Sequence, residues 1–251
     1  MNVVAFNSSP RDNKTSKTEL ILQKFLEGAR QAGAAAETMY LRQYRIKPCL
    51  GCFGCWLRNK GRCEQKDDMT GGLFDRFLEA DLVVLATPLY NFNMSSRLKA
   101  FIERTLPMLE PALTDSEGRT RHLFRVAKVP QIVALSVCAF PESYGFQALS
   151  LNMRMIFGTN LVAEIYRHSS EFLTVPPLQP QVEKVLAAAV QAGEEVVRQG
   201  KVSPATMKAL TQELAPREIL IQMANQYWQE EMEKERPAPP AEDDESVDKW
   251  A

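Results

Sequence analysis

Histidine is almost missing from this chain of 251 residues: there are two, His122 and His168, far apart. That leaves no obvious His/carboxylate metal pair and no Ser/His/Asp triad. Net charge is nearly missing too, −1 from 30 basic and 31 acidic residues. No global field therefore draws the chain to nucleic acid or to an anionic membrane. No apolar run has transmembrane length, and MNVVAFNSSPRDNK lacks a basic stretch followed by a long apolar one. Neither a membrane anchor nor an export signal is expected, and a cytoplasmic setting is. Cysteine is scarce as well, five residues in all. Yet Cys49, Cys52, Cys55 and Cys63 fall within KPCLGCFGCWLRNKGRC, spaced C-x2-C-x2-C-x7-C. In a reducing compartment such a cluster points to metal, iron–sulfur or thiol chemistry rather than to a disulfide framework.

What is present is an alternation. Apolar, β-branched runs at 3–6, 37–41, 81–90, 129–137 and 161–167 read as strands. After the first strand a helical pattern sets Leu20, Ile21, Phe25, Leu26 and Ala29 on one face, and further helical patterns occupy 68–79, 95–110, 143–157 and 179–199. Five strands with intervening helices predict a doubly wound parallel sheet, with flavodoxin-like order 2-1-3-4-5 as a common solution. Residues 1–200 form that domain. Residues 201–236 form a C-terminal helical extension opened by Ser203 and Pro204, with a second helix restarted by Pro216. Its Ile219, Met223, Tyr227 and Trp228 suit packing on the domain or on a second subunit equally. The Pro-rich, then acidic tail 237–251 is expected to be disordered.

Ligands of such sheets bind at the carboxyl ends of the strands. The first such end, NSSPRDNKTSK (7–17), offers hydroxyls, an amide and cations before a helix N-terminus, a combination able to hold a phosphate dianion. It contains no glycine, so it is neither a P-loop nor a dinucleotide fingerprint. A solvated loop with Thr15 or Ser16 capping the helix accounts for the same residues. TPLYNFNMSS after the third strand adds the flat faces of Tyr90 and Phe92, and SVCAFPES follows the fourth. Together the three ends would line one crevice, phosphate at one end and a ring slot at the other.

These segments carry a resemblance. NSSPRDNKTSKTE is similar to the phosphate loop of flavodoxin-like NAD(P)H-dependent FMN reductases, TPLYNFNMSSRLKAFIER to their isoalloxazine segment, and CAFPE to their third flavin loop. KPCLGCFGCW…C…KDDM resembles the cysteine segment of the iron–sulfur flavoprotein branch. The likeness runs over about residues 1–200 in order. It implies FMN held by Ser9, Arg11, Asn13, Thr15 and Ser16, by Pro88, Leu89, Tyr90, Asn91 and Phe92, and by Ser136, Cys138 and Ala139. Asn7 and Ser96 stand where the family commonly has glycine, which bears on loop geometry. For Cys49, Cys52, Cys55 and Cys63 the resemblance implies a [4Fe-4S] cluster. Unligated thiols, including a Cys52/Cys55 redox pair, and a zinc site remain alternatives. Cys138 also suits a small buried residue beside the flavin.

The resulting expectation is an FMN-dependent oxidoreductase passing electrons from NAD(P)H, or a reduced carrier, to a small acceptor such as a quinone, nitro or azo compound. A homodimer or homotetramer is expected, with no nucleic-acid or membrane partner. No general acid or base is named, because the chemistry belongs to the cofactor. A flavodoxin-like electron carrier and a flavin-less scaffold are the other classes.

Overall fold

Val3, Val4, Ala5 and Phe6 are wholly buried, as are Leu82 to Ala86 and Ile132 to Leu135. Strands without a polar face need cover on both sides, and the chain supplies it. The computed structural model describes residues 1–116 and 118–235. Five parallel strands, β1 (Asn2–Asn7), β2 (Ala35–Tyr40), β3 (Leu82–Pro88), β6 (Gln131–Val137) and β7 (Leu161–Arg167), lie in the order β2-β1-β3-β6-β7. Setting aside a separate hairpin, β4 (Leu109–Ser116) and β5 (Arg119–Phe124), this is the expected 2-1-3-4-5 order. Helices α1 (Lys17–Gln31) and α6 (Gln179–Gln199) pack together. Their approach is close enough that a Cβ at Gly28 would overlap the Val190 carbonyl, and one at Gly193 that of Phe25. A continuous apolar cluster joins α3 (Phe74–Glu79), α4 (Ser96–Glu103) and α5 (Gln147–Phe157) to the strands, with Phe6 and Phe101 ring centroids 4.5 Å apart.

Two expected helices are corrected. The pattern at 95–110 ends as α4 at Glu103, so Thr105, Leu106 and Leu109 are not on it. Pro107 explains this: it has no N–H and disfavours helical backbone at the residue before it. After a single tight turn the chain enters an antiparallel hairpin, β4 (Leu109–Ser116) and β5 (Arg119–Phe124). The span 68–79 is broken at Gly72, whose φ of 141° is not helical, and only Phe74–Glu79 is a regular helix. The first turn of the 143–157 span is a 3-10 turn.

The contacts divide the chain into two units, Met1–Leu214 and Ala215–Ala251. The short helix α7 (Pro204–Leu210) belongs to the first, four residues beyond the expected boundary at 200 where the extension would begin. Ser203 caps α7, and the Glu195 carboxylate on α6 accepts from the Ser203 N–H and the Thr206 hydroxyl, each at 2.7 Å. The second unit contains α8 (Arg217–Lys234), with exposed Ile219, Tyr227 and Trp228. The expected tail 237–251 lies outside the described residues.

Candidate functional site

The three loops singled out in the sequence come together along one sheet edge. Asn7 ends β1 fully buried. Its Oδ1 accepts the Ser9 N–H at 2.9 Å and its Nδ2 donates to Glu19 Oε2 at 2.6 Å. The residue standing in place of a glycine therefore shapes the loop through its side chain. Ser16 is the N-cap of α1, accepting the Glu19 N–H at 3.1 Å and donating to Ser9 Oγ at 2.9 Å. Ser9 and Ser16 are buried; Arg11, Asn13 and Thr15 are exposed. Arg11 pairs with Glu171 at 3.0 Å, and Lys17 donates to Thr174 Oγ1 at 2.9 Å. Asp12 accepts the Lys14 and Thr15 N–H groups, and hydrogen bonds from Thr15 hold its carboxyl below the usual range. The first turn of α1 adds backbone N–H groups without intrahelical acceptors and the positive end of its dipole.

Beneath this loop lies a network that sequence reasoning missed. Glu19 is 5% exposed and its Oε1 accepts from the Tyr40 hydroxyl at 2.7 Å and from Gln23 at 2.9 Å. Asn13 donates to the Tyr40 oxygen at 3.1 Å, and Arg42 donates to Asn13 Oδ1 at 2.8 Å while stacking over the Tyr40 ring. Ser16-x-x-Glu19 is a capping-box spacing, the one signal that marked Glu19. Here its carboxylate turns to β1 and β2 instead.

The second loop is stapled to the first: Ser95 Oγ donates to Ser8 Oγ at 2.8 Å, and Ser8 Oγ donates to the Ala86 carbonyl at 3.1 Å. Ser95 also caps α4. Tyr90 and Asn93 exchange backbone hydrogen bonds of 2.9 and 3.0 Å around Asn91 and Phe92, whose φ values are 46° and 62°. Two successive left-handed residues make the tight turn that normally selects Asn-Gly. A phenylalanine in the second place is strained, and such strain clusters at functional sites. The turn presents Tyr90 and Phe92 outward, each 48% exposed.

The third loop is joined to the second by the Leu89 N–H on the Val137 carbonyl at 2.9 Å, and Gly145 abuts Leu89 and Phe92. Phe140, Tyr144 and Ala139 are exposed. Cys138 is buried; its Sγ donates to the Phe140 carbonyl, and burial pushes the thiol up to about 11. Ser136 is wholly buried within β6, and its Oγ has no hydrogen-bond partner among the described residues. Behind them Arg167, also wholly buried, donates to the carbonyls of Leu210 and Gln212.

The cysteine segment forms a separate lobe. Cys55 is buried on α2 (Gly54–Leu57), Cys49 and Cys63 are half-buried, and Cys52 is exposed. The Gly51 N–H donates to Cys49 Sγ at 3.5 Å. Arg58 pairs with Glu64 at 2.5 Å, and Cys63 and Arg104 line one cavity. Among the described residues no three His, Cys, Asp or Glu side chains are arranged to hold a metal ion. The four cysteines share one loop: burial first, and then Cys63, Cys49 and Cys52, push the Cys55 thiol up. Trp56 packs between Phe53 and His122, its ring centroids 5.1 and 4.9 Å away, and so binds the lobe to the hairpin. Both ends of the segment are pinned by an ion pair not foreseen from sequence. Arg104 donates to Asp67 at 2.6 and 3.0 Å and to the Lys47 carbonyl at 2.8 Å, with side chains 1% and 0% exposed. Burial alone would raise Asp67, but hydrogen bonds from Arg104 and the Lys47 N–H outweigh it and hold the carboxyl below its usual range.

A family model described as NADPH-dependent FMN reductase matches residues 1–156. An iron–sulfur flavoprotein of Archaeoglobus fulgidus is 36% identical over 105 residues, 42% of this chain and 49% of that protein. One from Methanosarcina thermophila is 29% identical over 106 residues, 42% of this chain and 53% of that protein. The chain thus spans about half the length of these relatives. An NAD(P)H:quinone oxidoreductase from Methanothermobacter marburgensis superposes with a TM-score of 0.55 at 17% identity, covering 78% of this chain and 96% of that one. An azoreductase from Bacillus anthracis str. Sterne gives 0.55 at 14%, covering 79% and 99%. At such identities the likeness is one of fold.

Proposed function

This chain belongs to the NADPH-dependent FMN reductase family, and on that premise we propose an FMN-dependent oxidoreductase moving electrons from NAD(P)H to a small acceptor such as a quinone, nitro or azo compound. One observation carries the reading: a buried hydroxyl pair at a helix N-terminus and an exposed aromatic shelf on a strained turn occupy one continuous sheet edge. The donor set suits the cofactor. Ser9, Ser16, Thr15 and Asn13, with the first-turn N–H groups of α1, would bind the phosphate. Arg11 would reach it by leaving Glu171. The Glu19 carboxylate is no obstacle, since Asn7, Tyr40 and Gln23 already occupy its oxygens. Pro88, Leu89, Tyr90, Asn91 and Phe92 would flank the ring, with Ala139 and the backbone at Cys138 on the other loop and Ser136 behind it. When bound, FMN supplies hydride acceptance from the nicotinamide and electron delivery to the acceptor. The chain orients the ring, excludes water from the inner face, and offers N–H dipoles where negative charge develops.

A [4Fe-4S] cluster on Cys49, Cys52, Cys55 and Cys63 belongs to the reading as well: four thiols within one loop are the donor set it takes, and they would hold it, with no step routed through it here. A homo-oligomer is part of the reading, supported by the exposed Leu151, Met155 and Ile156 on α5. So is a cytoplasmic setting, which suits five unbridged cysteines. No helix among the described residues is long and apolar enough to cross a membrane.

The test is FMN titration followed by anaerobic mixing with NADH or NADPH, then turnover with a quinone and an azo dye. Bound flavin that is reduced and re-oxidised supports the reading. Bound flavin that no nicotinamide reduces would make the protein an electron carrier. Failure to bind FMN would sink both.

A further inference from the structure

The register of the sheet sets Tyr40, the last residue of β2, beside Asn7, where the phosphate loop begins. From Tyr40 the polar side chains form a series whose direction is fixed by chemistry. A carboxylate can only accept, so the Tyr40 hydroxyl spends its proton on Glu19 Oε1 at 2.7 Å. Burial first, and then Glu19, push that hydroxyl above its ordinary value, so the proton stays on it. The Tyr40 oxygen is left to accept, and Asn13 Nδ2 donates to it at 3.1 Å. That turns Asn13 Oδ1 toward Arg42, whose guanidinium can only donate and does so at 2.8 Å. The same guanidinium stacks over the Tyr40 ring, 4.5 Å from its centroid. A hydrogen bond and a ring thus hold Arg42 at the phosphate loop, from 29 positions further along the chain than Asn13.

The other cations of the loop are engaged. Arg11 pairs with Glu171 at 3.0 Å, Lys17 donates to Thr174 Oγ1 at 2.9 Å, and Lys14 lies near Asp12, whose carboxyl it helps to lower. Arg42 makes no ion pair among the described residues, and Asn13 Oδ1 is its one hydrogen-bond acceptor there. A planar guanidinium fork with N–H donors to spare, already held in place, suits the oxygens of a phosphate. We infer that Arg42 binds the flavin phosphate and makes the site select FMN over riboflavin, with Tyr40 as the residue that positions it. The inference rests on the flavin reading above. Arg11 must give up Glu171 to reach a phosphate, whereas Arg42 has no carboxylate to give up, so Arg42 is the stronger determinant. The same series explains a buried carboxylate beneath an anion site. Glu19 fixes the Tyr40 hydroxyl, and through Tyr40 and Asn13 a cation is set at the loop to offset its charge.

The experiment titrates the full-length apoprotein with FMN and with riboflavin, which carries the same ring without the phosphate, following flavin fluorescence. Arg42→Gln should weaken FMN about tenfold or more while changing riboflavin by less than about twofold. Arg11→Gln should weaken FMN by less than Arg42→Gln does. Tyr40→Phe keeps the ring under the guanidinium and removes the hydroxyl that orients Asn13. It should weaken FMN about threefold and also spare riboflavin. The salt dependence of FMN binding gives a reading that a merely structural role would not move: it should flatten in Arg42→Gln, because one ionic contact is gone. Three results would overturn the inference. They are an unchanged FMN affinity in Arg42→Gln, a larger loss in Arg11→Gln, or equal losses of FMN and riboflavin with the salt dependence unaltered. Equal affinity of the unmutated protein for the two flavins would also overturn it while leaving the flavin reading intact. Binding of neither would end the flavin reading and the inference with it.

Discussion

At the scale of single residues, the site rests on side chains that do two jobs. Ser16 caps α1 and also holds Ser9 in the phosphate loop. Ser16→Ala should cost about 1 kcal/mol in urea unfolding of the apoprotein. It should also weaken FMN binding about tenfold or more in a fluorescence titration, because one hydroxyl donor is lost and a second is left misplaced. Cys138 makes a contrasting prediction. With its thiol pushed up to about 11 by burial, about one part in a thousand is thiolate at pH 8. Iodoacetamide should therefore label Cys138 far more slowly than Cys52, which is exposed; comparable rates by peptide mapping would contradict the packing described. Asp67 carries the pH argument. Its folded pKa lies below the unfolded value, so its contribution is complete above about pH 4 and fades as pH falls through the folded value. Asp67→Asn leaves Arg104 buried and unpaired, a loss of about 3–5 kcal/mol at neutral pH by denaturant titration. The loss should shrink on acidification, since the wild-type pair is then lost too.

At the scale of elements, α1 and α6 decide how tightly one face of the sheet is covered. Gly28→Ala sets two effects against each other. Alanine gains about 1 kcal/mol in helix propensity, while its Cβ would overlap the Val190 carbonyl on α6. Backbone oxygen cannot rotate aside, so the helices must separate, and overpacking of this kind costs about 1–3 kcal/mol. The expected outcome is a lower Tm for Gly28→Ala, whereas Ala substitution at an open, exposed helical position would raise it. The hairpin β4–β5 is the element that sequence patterning missed, and the reason is physical. Leu113, Leu123 and Phe124 are all at least half exposed, so the alternation that marks a half-buried strand was absent. Only Gly118, with a φ of 73°, marked its turn.

At the scale of the whole molecule, the three candidate flavin loops and the cysteine lobe all fall within the unit Met1–Leu214. A chain ending at Leu214 should bind FMN within about twofold of full length, an affinity change under about 0.5 kcal/mol. A larger loss, seen by titration of both forms side by side, would give Ala215–Ala251 a part in the site.

The five strands were legible from the sequence, because runs buried on both faces need a covered sheet, and right-handed crossovers narrowed their order to a few arrangements, of which the structure adopts the flavodoxin-like one. Capping is a local interaction between a side chain and the next turn, so the start at Ser203 was legible, and the first helix start was narrowed to Thr15 or Ser16, of which the structure uses Ser16. Only the tertiary structure decided what depends on residues far apart in the chain. The Ser8–Ser95 staple spans 87 positions and the Asp67–Arg104 pair 37. Nothing local distinguishes such a serine or arginine from one facing solvent. The cysteines mark the boundary between the two. Their spacing announced a site, but which sulfur lies buried, which is exposed and which faces a cavity followed from how the loop folds back on itself.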